Sequence, residues 1–184
     1  MIICAGDIES FDFAKPIGIG LVNSAINLTQ IITTFCPEKL IFIGSAGSYG
    51  KFNIFDKVIS SSSSNLELCF LHNSCYCPIE NIIKIDNQNS QTIVNSSNYI
   101  STDFEISKKF NNYGIGLENM EFFSVLSCAK KFNIKAIGIF VVTNYCNETA
   151  HQDFMANHTT AMEILEDYLD ELKIVSRETI KGVK

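Results

Sequence analysis

Five polar side chains stand out because each lies where an apolar run begins or ends. Asp7 and Glu9 follow the run Met1 to Cys4, and Ser45 follows Leu40 to Ile43. Glu121 precedes the apolar stretch from Phe122, and Asn144 closes the run Ile134 to Val142. Carboxylates at such places do acid–base work or hold hydroxyl-bearing ligands, whereas an asparagine amide donates and accepts hydrogen bonds but transfers no proton. Taken singly, each has a structural alternative: Glu121 as a favourable charge at a helix N-terminus, Asn144 as the cap of a following helix. Their common position is what points to chemistry. The strand tips of an open α/β sheet gather at one edge, where ligands bind, so Glu9, Ser45, Glu121 and Asn144 are expected to converge on one pocket.

Three further motifs bear on the chemistry. Gly18-Ile19-Gly20 lies between an apolar strand and a helix, but the third glycine and the acidic partner of a dinucleotide loop are missing, so it reads as a strand-to-helix turn. Gly44-Ser45-Ala46-Gly47-Ser48-Tyr49-Gly50 follows a strongly apolar strand, and its glycines either let a ligand approach the backbone closely or only make a tight loop. Cys69, His72, Cys75 and Cys77 supply soft ligands, yet C-x2-H-x2-C-x-C matches no common zinc module, and no metal site is expected.

The elements that must position these groups are legible from hydrophobic period. Short β-branched runs at Met1 to Cys4, Leu40 to Ile43, Val58 to Ile59, Ile82 to Ile85, Ile93 to Val94 and Ile134 to Val142 read as strands buried on both faces. Helical stripes lie between and after them: Ala25, Leu28, Ile32 and Phe35, stopped by Pro37; Phe122, Val125, Leu126, Ala129 and Phe132; and Met162, Leu165, Leu169 and Leu172. Alternating strands and helices argue an α/β domain with a mostly parallel or mixed sheet. The Ser- and Asn-rich stretch 60–98 carries no helix signal and reads as an antiparallel excursion with loops. Its serines 60–64 are too few for a linker.

Composition narrows the function classes. A chain of 184 residues, 46% hydrophobic and 18% charged, is expected to fold as a single domain over residues 1–184. Its net charge of -6 disfavours nucleic acid as a partner. Only one of the 14 cationic side chains is an arginine, Arg177, so a mechanism needing a guanidinium fork has a single candidate. No apolar stretch reaches the ~18 residues of a membrane span and no basic leader precedes the first apolar run, so a cytoplasmic protein without membrane contact is expected. The seven cysteines, an odd and scattered set, read as reduced thiols.

Read together, these segments resemble the nucleoside phosphorylase superfamily, most closely its methylthioadenosine/adenosylhomocysteine nucleosidase branch. Ile17 to Ala25 resembles the family's S-G-I-G-K-x-N-A-A. Ile43 to Gly47 resembles T-G-S-A-G-G, Asp56 to Ser60 resembles G-D-V-V-I-S, and Glu118 to Glu121 resembles V-D-M-E. Val141 to Asn147, with His151 and Phe154, resembles the segment that begins A-I-S-D. The resemblance implies a three-layer α/β/α fold with a mixed, mostly parallel central sheet, and a purine nucleoside as the small-molecule partner. It places Met120 under the ribose, Glu121 on the 2′ and 3′ hydroxyls, and Tyr99 and Ile100 beside the base. It gives Ser45 a part in holding the attacking water or phosphate, Gly47 and Phe154 a part in binding the substrate, and Glu9 the role of general base. No cofactor is implied beyond phosphate as co-substrate in a phosphorylase.

Two departures matter. Asn144 stands where nucleosidases carry an aspartate, as in the trimeric purine nucleoside phosphorylases, and Phe140 stands where they carry an arginine. The stretch between Glu9 and Ile17 is also shorter than the family's, so the pocket is expected to be open there or closed by another subunit of a homodimer or larger assembly. Three activities follow: hydrolysis of a nucleoside by water, phosphorolysis, or purine or nucleoside binding without catalysis.

Overall fold

Two long apolar runs become the neighbouring central strands of one sheet, and the polar groups at their tips inherit a common edge. A computed structural model describes residues 1–85 and 90–176; Arg177 lies outside the described residues. In chain order the elements are β1 (Ile2–Cys4), β2 (Lys15–Pro16), α1 (Leu21–Phe35), β3 (Lys39–Ser48), β4 (Lys57–Ser60), β5 (Ser62–Ser64) and α2 (Leu68–Leu71). There follow β6 (Ile82–Lys84), β7 (Ile93–Ser96), α3 (Phe104–Asn112), β8 (Ile115–Asn119), α4 (Phe122–Phe132), β9 (Lys135–Tyr145) and α5 (Ala150–Glu171).

Strands β3 and β9 run parallel from the pair Lys39 and Lys135 to the pair Ser48 and Tyr145. β1 lies parallel on the other side of β3 with β2 outside it, and β4 is antiparallel to β9. Beyond the end of β1, Gly47 and Ser48 of β3 keep their pairing with β9 and pair antiparallel on their other side with β8, which leads through β7 and β5 to β6. The sheet is mixed and mostly parallel, with helices on both faces.

Side-chain alternation builds two cores from the same strands, because successive residues of a strand point to opposite faces. Phe42 and Phe140 turn to one face, against Leu28 and Ile32 of α1 and Phe122, Val125 and Leu126 of α4. Ile43, Ile139 and Val141 turn to the other, against Ala161, Leu165 and Leu169 of α5. Phe140, standing where nucleosidases carry an arginine, is wholly buried, with its ring 5.2 Å from Phe122 and 5.8 Å from Phe42. The helical stripes fray at their ends, where Phe35, Phe132 and Leu172 are exposed. Cys36 and Asn133 close α1 and α4 in the left-handed conformation, with φ of 46° and 56°. Among the described residues no helix is long and apolar enough to cross a membrane.

Two expectations need correction. The stretch 60–98 is not purely antiparallel with loops, since β5 pairs antiparallel with β6 but parallel with β7, and α2 adds a helical turn. Serines 60–64 are buried, with the Ser60 and Ser63 hydroxyls bonded to the carbonyls of Thr92 and Val94 across the strands. The cysteines are not all reduced: Cys69 and Cys75 form a disulfide. Asn73 turns the chain with φ of 53°, and Ser74 N–H donates to the Cys69 carbonyl at 2.9 Å, which brings the two Cα atoms to 5.5 Å. Their sulfurs are thereby spent on each other, and among the described residues no cluster of His, Cys, Asp and Glu is arranged to hold a metal ion.

Candidate active site

Glu9 reaches the sheet edge from the loop after β1. Its carboxylate accepts from the backbone N–H of Ser45 at 3.2 Å and from the Ser45 hydroxyl. The carboxylate lies against Gly44, where a Cβ would come within 2.6 Å of Oε2, so the glycine makes room for it. Burial pushes the Glu9 carboxyl above its ordinary pKa, against the lowering effect of the two Ser45 bonds.

Glu121 is set by the entry to α4. Asn119 Oδ1 accepts from the N–H groups of Glu121 and Phe122 at 2.8 and 2.9 Å, so Asn119 supplies the bonds of an N-cap. The Glu121 carboxylate is thereby free of the helix and accepts from Gly20 N–H at 2.9 Å, at the turn before α1. Gly20 adopts φ of 83°, and its segment is a strand-to-helix turn whose N–H points at a protein carboxylate. Burial raises the Glu121 pKa to about 7, and the charge of Glu9 adds to the rise against the bond from Gly20.

Asn144 sits beyond an irregularity in the central ladder. The register passes from Ala46 opposite Val142 to Gly47 opposite Asn144, so Thr143 is the extra residue of a bulge that re-aims the end of β9. The Asn144 Oδ1 accepts from the Thr143 hydroxyl at 2.8 Å, and Nδ2 donates to the Tyr145 carbonyl at 3.1 Å, leaving a second N–H. Asn144 caps no helix. From α5, Asn157 Nδ2 donates to the bulged Thr143 carbonyl at 2.9 Å and ties helix to strand.

A cavity of about 280 Å³ is lined by Glu9, Ser45, Gly47, Ile100, Met120, Glu121, Asn144 and Phe154, drawn from six separate stretches of chain. Tyr99 is not among them. It is 82% exposed and borders an adjoining cavity of about 510 Å³, which meets the first at Ile100 and Glu118. Asp7 also lines neither. Glu118 is bound by Tyr49 Oη at 2.6 Å, Ser101 N–H at 2.8 Å and the Ser101 hydroxyl, which fixes the wall between the cavities.

Sequence reasoning missed His158. Its Nε2 lies 3.9 Å from Glu9 Oε1, and its ring packs on Phe154 with centroids 5.0 Å apart. The signal was helical spacing: His158 is four residues after Phe154 and seven after His151, both of which line the cavity. No lysine or arginine lines this cavity among the described residues, while three glutamates do.

Residues 92–173 match the family model of the phosphorylase superfamily. About nine-tenths of the chain superposes on solved structures of nucleosidases. A mutant methylthioadenosine nucleosidase of Helicobacter pylori with 5′-methylthioadenosine in its active site aligns with TM-score 0.76 at 17% identity, over 88% of this chain and 79% of that one. The chain resembles the phosphorylase superfamily in fold. A futalosine hydrolase of Helicobacter pylori gives TM-score 0.76 at 19% identity, over 88% and 78% of the two chains. The methylthioadenosine/adenosylhomocysteine nucleosidase of S. pneumoniae gives 0.73 at 15%, over 91% and 95%. No curated protein matches the sequence. The order of the strands brings the tips of β1, β3 and β9 and the start of α4 to one cavity.

Proposed function

We propose that this chain hydrolyses the N-glycosidic bond of a purine nucleoside. The observation that carries the reading is one cavity bringing the buried side chains of Glu9, Glu121 and Asn144 together with no lysine or arginine among its described lining residues. Breaking this bond develops positive charge on the ribose and negative charge on the base, and a site must stabilise both. Glu121 binds the ribose hydroxyls over Met120 and favours the cation. Asn144 donates its remaining N–H to the purine N7 as the base leaves with the bonding electrons, Ile100 flanks that base, and Phe154 closes the sugar side. Glu9, with Ser45, orients a water, whose oxygen bonds to C1′ while its proton passes to the Glu9 carboxylate. Because Asn144 transfers no proton, the departing base takes its proton from solvent or from Glu9.

Water is favoured over phosphate because a phosphate dianion would enter among three glutamates with no lysine or arginine to receive it. Ile8 and Ile19, 59% and 44% exposed on the cavity wall, suit closure by a second copy of the chain, in keeping with a homodimer or larger assembly.

Release of free purine from inosine, adenosine or methylthioadenosine, followed with and without phosphate, tests the reading. Product without phosphate is expected. Product only with phosphate means a phosphorylase, and binding without product means a binder that has lost its acid. Asn144→Ala and Glu121→Ala are each expected to cost about 2–4 kcal/mol of transition-state stabilisation, read as kcat/KM.

A further inference from the structure

The Glu9 carboxylate is wedged between two elements. On one side are Gly44 and Ser45 of β3, with its Oε2 occupying the space a side chain at 44 would fill. On the other is His158 of α5, whose Nε2 faces Glu9 Oε1 at 3.9 Å, within ion-pair reach but longer than a hydrogen bond. That Nε2 is buried and has no hydrogen-bond partner. A buried ring nitrogen without a partner is uncommon in a folded protein, and Glu9 is the acceptor it faces.

We propose that His158 is a positioning residue for Glu9, carrying a hydrogen on Nε2 toward the carboxylate and thereby favouring its ionised form when substrate and water fill the cavity. The inference rests on the reading of Glu9 as the base that takes the proton of water. Without a donor opposite it, a carboxylate this buried holds its own proton and cannot accept another. Burial raises the Glu9 pKa and lowers that of His158. The other titratable groups around the pair are Cys4 of β1, which feels the Glu9 charge, Glu121 at the entry to α4, which also feels it, and His151 on the same helix. None of these supplies a permanent positive charge. His158 is therefore the donor that faces the carboxylate on the side away from Ser45.

Two measurements test the assignment. In the pH profile of kcat/KM, His158→Phe is expected to move the acid limb upward by about one pH unit, a loss of about tenfold on the acid side that fades as pH rises. His158→Gln, which keeps an amide N–H at similar reach, is expected to restore most of the limb. A loss equal at every pH in both variants, or no loss at all, overturns the assignment. Independently of turnover, the titration of the His158 ring is followed by NMR in the wild type and in Glu9→Gln. Removal of the carboxylate charge is expected to lower the pKa of the ring, and an unchanged titration overturns the pairing. A wild type that cleaves no nucleoside while its His158 titration responds to Glu9→Gln would sink the hydrolase reading and leave the pair standing.

Discussion

At the scale of single residues, the site depends as much on what is missing as on what is present. A Cβ on Gly47 would lie 2.8 Å from Cys146 Sγ and 3.0 Å from Asn144 Nδ2, so the glycine is what allows the amide to stand at the tip of β9. Gly47→Ala is expected to displace Asn144 and lower kcat/KM by about 100-fold, the usual consequence of an ångström-scale error in a reacting geometry, with a stability loss of about 1–3 kcal/mol. Parallel urea unfolding and kinetics separate the two effects; wild-type kcat/KM in a folded Gly47→Ala protein would show that Asn144 does not act where the structure holds it. Glu9, Ser45, Glu121 and Asn144 were legible in the sequence because a polar residue at the end of a buried run marks a strand tip. His158 was not, because it lies in the middle of a long helix where polar residues are ordinary. Tyr99, which the family resemblance places beside the base with Ile100, has an exposed side chain that borders the neighbouring cavity.

Among elements, the working joint is between β9 and α5. The bulge at Thr143 breaks the ladder where Asn144 must turn toward the cavity, and the bulged carbonyl is satisfied from outside the sheet by Asn157 of α5. Asn157→Ala removes that donor and is expected to cost about 1 kcal/mol of stability, measured as a shift of the urea midpoint at constant slope. If the joint also aims Asn144, kcat falls while the fold persists; an unchanged kcat would confine Asn157 to a structural role. Neither bulge nor joint was legible in the sequence, since Val141 to Thr143 continue a plain apolar run. The three long helices and the apolar strands were legible because their periods persist over several turns or residues. α3 escaped notice because only Ile106 and Phe110 of its nine residues turn apolar side chains toward neighbouring buried groups, and its start is set by the Asp103 side chain accepting from Glu105 and Ile106 N–H groups. α2, one turn long, is held by the turn at Asn73 and the disulfide that follows, and such constraints leave no hydrophobic period to read.

For the whole molecule, sheltering these carboxylates makes stability depend on pH in a direction opposite to that of a salt-bridged acid. The Glu121 pKa is raised to about 7 in the folded chain, whereas an unfolded glutamate titrates near 4.3. Between these values the folded state holds a proton that the unfolded state has released, so stability falls as pH rises through the window and levels off above it. A difference of roughly 2.7 units corresponds to about 3.5 kcal/mol over the full window, and Glu9, raised in the same direction, adds to the slope. The proposed chemistry needs both groups ionised, so catalysis and stability are expected to trade against each other across neutrality: kcat/KM rises where the fold weakens. Urea unfolding at pH 5 and pH 8 is expected to give the wild type its higher midpoint at pH 5. In Glu121→Gln, which keeps shape and removes the titration, that difference should shrink by about 3 kcal/mol. An equal difference in the two proteins would mean that Glu121 remains ionised throughout the window, and the acid side of the activity profile would then have to be assigned to Glu9 alone.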